Sequence, residues 1–170
     1  MDLAFRAMDF ARSVHAGQFR KYTGNPYADH LAEVAGIVAT VQHEFVVPPE
    51  VILATAWLHD CVEDQGVSLN FIAERFGNMV AIGVSGLSDM EKGNRAERKA
   101  ASCERLAACT SWIQTIKCAD LISNTSSIVK HDPKFAVTYL SEKRALLDVL
   151  TKADPRLREL AYEQSNWPAP

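Results

Sequence analysis

The sequence has no run of the ~18 uninterrupted apolar residues that a membrane-crossing helix requires, so it does not read as a helical membrane protein. Its cysteines, Cys61, Cys103, Cys109 and Cys118, show no C-x-x-C spacing, and neither a zinc ribbon nor a redox pair is written here. They fall in segments that read as helical and buried, and thiols in a reducing compartment are expected. Neither sign of charge dominates. A net charge of -3 and a pI of about 5.9 exclude global attraction to nucleic acid or anionic lipid, so any anionic ligand must be held by a local cluster of cations. There is no Gly/Ser linker, no internal repeat and no sustained period-two alternation, which leaves no mark of a domain boundary or a half-buried sheet. The opening Met1-Asp2-Leu3 has neither the basic start nor the apolar core of a signal peptide. What remains is an ordinary globular composition, 48% hydrophobic and 23% charged, in a chain of 170 residues that needs no staples to fold.

Helical spacing runs throughout. Leu3, Ala7, Phe10 and Val14 predict an opening amphipathic helix that ends near Gly17, and Leu31, Val34, Val38 and Val41 a second from about Ala28, with His30 in its first turn. Between them Gln18 to Tyr27 reads as a loop with adjacent cations and two tyrosines. Ser68 is a candidate N-cap and Gly77 a helix stop; Asn78 to Leu87 reads as a short apolar helix. The run from Ser88 to Lys99 reads as an exposed polar connection into a helix over Ala100 to Ala108. Ser111 with Gln114 makes a capping-box pattern opening a long helix over Trp112 to Lys130, in which Asp120, Asn124 and Ser127 share a face. Asp132-Pro133 and Asp154-Pro155 look like caps with first-turn prolines, starting two last helices with Tyr139, Leu146, Leu150, Leu157 and Leu160 inward. We expect an all-α domain of eight or nine helices over residues 1–165, with a tail at 166–170.

The chemistry centres on Trp57-Leu58-His59-Asp60-Cys61-Val62-Glu63-Asp64. Val51 to Leu58 is apolar on every side, the pattern of a helix buried all round, and a helix continued through its acidic end would gather His59, Asp60, Glu63 and Asp64 into one patch. Carboxylates beside a core are costly unless paired. A divalent cation, with the imidazole and the first carboxylate as ligands, would offset that cost. Read alone, the same patch also fits an acidic helix end facing water.

His30, His59-Asp60 and Asp120 together give the order H…HD…D on separate helices, the metal-binding pattern of the HD phosphohydrolase superfamily. His15-Ala-Gly-Gln-Phe-Arg20-Lys21 with Pro26-Tyr27-Ala-Asp-His30 resembles H-x-G-Q-x-R-K followed by P-Y-x-x-H. Leu58 to Asp64 resembles L-H-D-x-V-E-D, and Lys117 to Asn124 resembles K-x-A-D-x-x-x-N. These motifs resemble the hydrolase domain of RelA/SpoT-type proteins and the stand-alone small alarmone hydrolases of the metazoan SpoT homologue type.

The resemblance implies an HD-type helical bundle that uses one divalent ion, Mn2+, to remove the 3′-pyrophosphate of (p)ppGpp, leaving GDP or GTP. Its ligands would be His30, His59, Asp60 and Asp120, and its catalytic carboxylates Glu63 and Asp64. Arg20, Lys21, Asn124 and Ser127 match positions that hold the nucleotide; Tyr27 belongs to the same motif, and Lys92, Arg95, Arg98 and Lys99 could reach the 5′-phosphates. His15 is expected to be structural. Relatives usually carry cations in the segment after Asp120, where this chain has Leu121 and Ser126, and Leu31 stands where proline often follows the metal histidine. The smaller charge keeps two other readings open. One is a related phosphohydrolase acting on the 2′-phosphate of NADPH or on nucleoside monophosphates, and the other a catalytically silent nucleotide-binding module. The expected partner is a small nucleotide, with no nucleic acid and no membrane, in the cytoplasm; no oligomeric state is implied.

Overall fold

A computed structural model describes residues 2–166 as helices joined by short turns. The all-α expectation holds. Of the tail read from Asn166, residues 167–170 lie outside the described residues. The chain forms two compact units: one holds residues up to Arg20 with Gly24–Met90, the other Lys21–Thr23 with residues from Glu91 onward.

The first unit comprises α1 (Leu3–Val14), α2 (Tyr27–Ala39), α3 (Pro49–Leu58), α4 (Cys61–Gln65), α5 (Leu69–Phe76) and α6 (Asn78–Leu87), with a 3-10 turn at Gln42–Glu44. Its centre is α3, packed by α1, α2 and α6. Ala7, Ala11 and Ala54 lie in one buried cluster with Leu31, Leu58, Ile72 and Val84, and small residues there let α1 and α3 approach closely. Asp2 caps α1 and Ser68 caps α5, each accepting backbone N–H bonds, and Gly77 ends α5 at φ 97°.

One departure bears on the site. The central helix does not run through to Asp64: α3 stops at Leu58, Asp60 sits at φ -97°, ψ -4°, and α4 begins at Cys61. That backbone region is sparsely populated and is common at active sites. The break turns the His-Asp pair out of the helical ladder while the Asp64 amide still donates to the Asp60 carbonyl at 2.9 Å.

The second unit comprises α7 (Arg95–Ala108), α8 (Ser111–His131), α9 (Pro133–Val149) and α10 (Pro155–Ser165), with α8 packed by α7, α9 and α10. Asp132 and Asp154 cap α9 and α10 as read from Asp-Pro. Four readings change. The polar connection is helical from Arg95, because Asn94 and Glu97 form a reciprocal capping box. Ser111 and Gln114 form none: the buried Gln114 amide donates to the Leu106 carbonyl at 2.9 Å and accepts from the Lys152 amide at 2.8 Å. Leu160, read as inward, is exposed, and Cys103 and Cys109 are only half-buried. Cys61 and Cys118 are buried, and burial pushes both thiols up to about 12. Among the described residues no helix is long and apolar enough to cross a membrane.

Lys143 of α9 is 2% exposed, and its ammonium donates to Thr125 Oγ1 at 2.7 Å and Gln164 Oε1 at 3.1 Å. Burial lowers its pKa from 10.5 to about 8, so the folded protein holds this proton less tightly than the unfolded chain. The cost is full below pH 8 and fades as pH rises toward 10.5. It amounts to about 3 kcal/mol, of which the two hydrogen bonds return about 1. Lys143→Met should therefore raise stability by about 2 kcal/mol at pH 7, with the gain shrinking between pH 8 and 10.5. Urea unfolding across that range checks it; a variant less stable at pH 7 would contradict it.

Candidate active site

Three side chains able to ligate a metal ion converge at the helix break. His30 comes from the first turn of α2, and His59 and Asp60 from the α3–α4 junction. The Nε2 atoms of His30 and His59 lie 3.5 and 2.9 Å from one atom, Asp60 Oδ2, and potential ligand atoms of the three residues lie within 4.8 Å of one another. Both imidazoles are buried, while the Asp60 side chain is 18% exposed, which leaves the cluster open on the carboxylate side. His59 Nδ1 lies 2.8 Å from the Ala56 carbonyl, so this nitrogen carries a proton and donates it. In the neutral ring Nε2 then turns its lone pair toward a carboxylate oxygen. A proton on Nε2 or a cation between the two atoms resolves that clash.

Electrostatics agree with a cationic centre. Burial pushes the Asp60 carboxyl up, yet the His59 and His30 imidazoles outweigh it and hold the group well below the usual carboxylate range. Two imidazoles and one carboxylate at this spacing fit a divalent ion with ligand distances of about 2.0–2.2 Å.

Tyr27 is more than a motif residue. Its hydroxyl donates to Asp60 Oδ2 at 2.7 Å, and its ring stacks on His15 with centroids 5.1 Å apart. His15 is buried and structural as expected: its Nδ1 lies 2.6 Å from Gln18 Oε1, and its Nε2 lies 3.7 Å from the Cys61 thiol. Tyr27→Phe keeps the stacked ring and removes the hydroxyl. We expect about 10-fold weaker metal binding with an unchanged fold, read by metal titration of the purified variant; unchanged affinity would show that the hydroxyl does not tune the carboxylate.

Glu63 and Asp64 stand on α4, both exposed, and each is held by another segment of its unit. The Asp89 amide donates to Glu63 Oε2 at 2.9 Å. The Gln18 amide donates to Asp64 Oδ2 at 2.8 Å, and Gln65 donates back to Gln18. Gln18 thus ties the first motif to the second, a role sequence reasoning did not assign. Arg20 lies half-buried in a tight loop closed by its amide on the Asn25 carbonyl at 2.8 Å and by Gly24 at φ 70°.

In the second unit Asp120 is buried on α8, with Asn124 donating to its Oδ1 at 2.6 Å and Lys117 to its Oδ2 at 2.8 Å. Lys117, the first residue of the K-x-A-D-x-x-x-N motif, thus holds the Asp120 carboxylate. Ser127 is half-buried further along α8. Lys21 is exposed, 4.9 Å over the Tyr22 ring, and Tyr22 donates to Asp132 at 3.0 Å. Lys92, Arg95, Arg98 and Lys99 are all exposed; Arg95 forks onto Glu142 at 2.6 and 2.8 Å, and Arg98 donates to the Gly93 carbonyl at 2.7 Å.

The HD domain family matches residues 7–134, a span that contains the whole His30, His59, Asp60 cluster and Asp120. The chain belongs to the HD domain family. Among curated relatives of this HD domain protein are several named guanosine-3′,5′-bis(diphosphate) 3′-pyrophosphohydrolase MESH1. That of Homo sapiens is 32% identical over 129 residues, 75% of this chain and 70% of the relative. That of Danio rerio is 30% identical over 128 residues, 75% of this chain and 69% of the relative. A solved structure described as a metazoan ortholog of SpoT that hydrolyzes ppGpp superposes with a TM-score of 0.85 at 25% identity, covering 96% of this HD domain chain and 94% of the other.

Proposed function

We propose that this protein is a metal-dependent (p)ppGpp hydrolase, removing the 3′-pyrophosphate to leave GDP or GTP and pyrophosphate. The observation that carries it is the convergence of two buried imidazoles on Asp60, in a chain related over three quarters of its length to curated hydrolases of that name. His30, His59 and Asp60 would hold one divalent ion, with Asp120 as the fourth ligand on the strength of its motif; we assign the ion as Mn2+, which accepts imidazole and carboxylate together. When bound, the ion lowers the pKa of water and screens phosphate charge.

The chain's own groups supply the rest. Glu63, held by the Asp89 amide, takes the proton of the attacking water. As the P–O3′ bond breaks, O3′ needs a proton, and Asp64, held by Gln18, carries it. The fork of Arg20 suits stacking on the base and the ammonium of Lys21 suits a phosphate. Asn124 and Ser127 hydrogen-bond the nucleotide. Arg20, Lys21 and the ion are the charges we assign to the substrate, while Lys92, Arg95, Arg98 and Lys99 are exposed and are the weaker candidates for its 5′-phosphates.

Product analysis of the Mn2+-loaded protein with ppGpp, NADPH and nucleoside monophosphates tests this reading. GDP with pyrophosphate is expected. Inorganic phosphate from NADPH or a monophosphate, with ppGpp untouched, would keep the metal site and replace the substrate; binding of nucleotide without turnover would make this a silent module.

A further inference from the structure

A cavity of about 360 Å³ lies in the second unit. Its wall is formed by Thr125, Ser126, Val129 and Lys130 of α8 and by Gln164 in the last turn of α10. Helical geometry puts Thr125, Ser126 and Val129 on the side of α8 turned away from Asp120, Asn124 and Ser127, with Lys130 between the two faces, since each residue turns the helix by about 100°. The cavity is therefore lined mainly from the side of α8 away from Asn124 and Ser127. Its size is that of a pocket for a small organic molecule.

Its chemistry is asymmetric. Among the described residues the wall carries one cation, Lys130, and no carboxylate. Directly behind it lies a second cation: the two acceptors of the Lys143 ammonium, Thr125 Oγ1 and Gln164 Oε1, are both wall residues. Lys143 is 2% exposed, and among the described residues both of its partners are neutral oxygens. An ammonium has three donors, so the capacity for a stronger acceptor remains. Thr125 is fully engaged, because its hydroxyl also donates to the Leu121 carbonyl at 2.6 Å. Gln164 is the replaceable partner: it is half-buried, its bond is the longer one, and it stands at a helix end.

The C-terminal ends of α8 and α10 place partial negative charge near this region, which opposes an anion. Two groups offset it. Arg144 donates to the Ser165 carbonyl at the end of α10, and Lys130 sits in the last turn of α8. Val129 supplies an apolar wall.

We propose that this cavity is a second binding site, taking a small molecule with an apolar body and one carboxylate that replaces Gln164 as a partner of Lys143. The carboxylate turns an ion–dipole contact into a charge-assisted hydrogen bond inside the protein, while the body fills the space along Val129.

The test is an amide-detected NMR titration of the full chain with three probes of one shape: 3-phenylpropanoate, 3-phenylpropan-1-ol and 3-phenylpropylammonium. The acid should bind with a dissociation constant of about 1 mM or tighter, shift the amides of Thr125, Val129 and Gln164, and bind at least about 10-fold more tightly than the alcohol. Lys143→Met, which removes only the ammonium, should abolish that preference while the alcohol still binds. Val129→Trp, filling the cavity, should remove both. Equal affinity for acid and alcohol, an acid preference that survives in Lys143→Met, or no binding of any probe would overturn the proposal.

Discussion

Glu63→Gln should lower kcat by about 10³-fold and leave metal binding intact. The structure makes this substitution clean. The Glu63 carboxylate accepts the Asp89 amide through one oxygen, and a glutamine carbonyl oxygen can accept the same bond, so the segment after α6 keeps its anchor. What disappears is basicity. The side chain is exposed and lies outside the His30, His59, Asp60 cluster, so no ligand is lost. A steady-state assay with metal-loaded protein, paired with a metal titration, reads the two effects separately. Near-normal kcat would move the proton transfer to another group, with Asp64 the next to substitute; loss of metal would mean that Glu63 belongs to the ligand set.

Much of the fold was legible because its signals are local. A serine before an apolar period, a glycine at its end and two Asp-Pro pairs each specify a cap by its own chemistry, and Ser68, Gly77, Asp132 and Asp154 all do so. Readings failed where distant groups decide. Ser111 and Gln114 have the letters of a capping box, but the Gln114 amide is drawn into the core by the Leu106 carbonyl and the Lys152 amide, 38 residues on. The Asn94–Glu97 box lay hidden in a run whose apolar period is too weak to mark a helix; Ser102 and Leu106 are the buried residues of α7.

The site divides the same way. The residue types at His30, His59 and Asp60 announce metal chemistry, and the structure brings those three together. The break between α3 and α4 left no trace, since neither glycine nor proline stands at residues 58–61. Gln18 and Lys117 act by orienting carboxylates and Gln65 by holding Gln18, and an amide or ammonium that orients another group looks in sequence like any surface residue. Lys143 was invisible for a related reason: a lysine in a helix reads as solvated until the packing around it is known.

Asp60→Ala should remove both turnover and the stabilisation that metal confers. Binding to the folded state alone stabilises it by about 2.7 kcal/mol at 100 times the dissociation constant, and in a chain of this size about 1 kcal/mol moves the melting temperature by roughly 2–4 °C. Saturating Mn2+ should thus raise the melting temperature of the unsubstituted protein by about 5–10 °C and that of Asp60→Ala hardly at all. The reason is geometric: both imidazoles and the Tyr27 hydroxyl are directed at Asp60 Oδ2, so its removal takes away the one anionic donor of the cluster and the group that orients the others. The metal-free variant should also be less stable, by about 1–3 kcal/mol, because the polar groups around Asp60 lose their acceptor. Glu63→Gln, by contrast, keeps the full metal-induced shift. An Asp60→Ala protein that still melts several degrees higher with Mn2+ would mean that the ion binds elsewhere, and the assignment of the His30, His59, Asp60 cluster would fall with it.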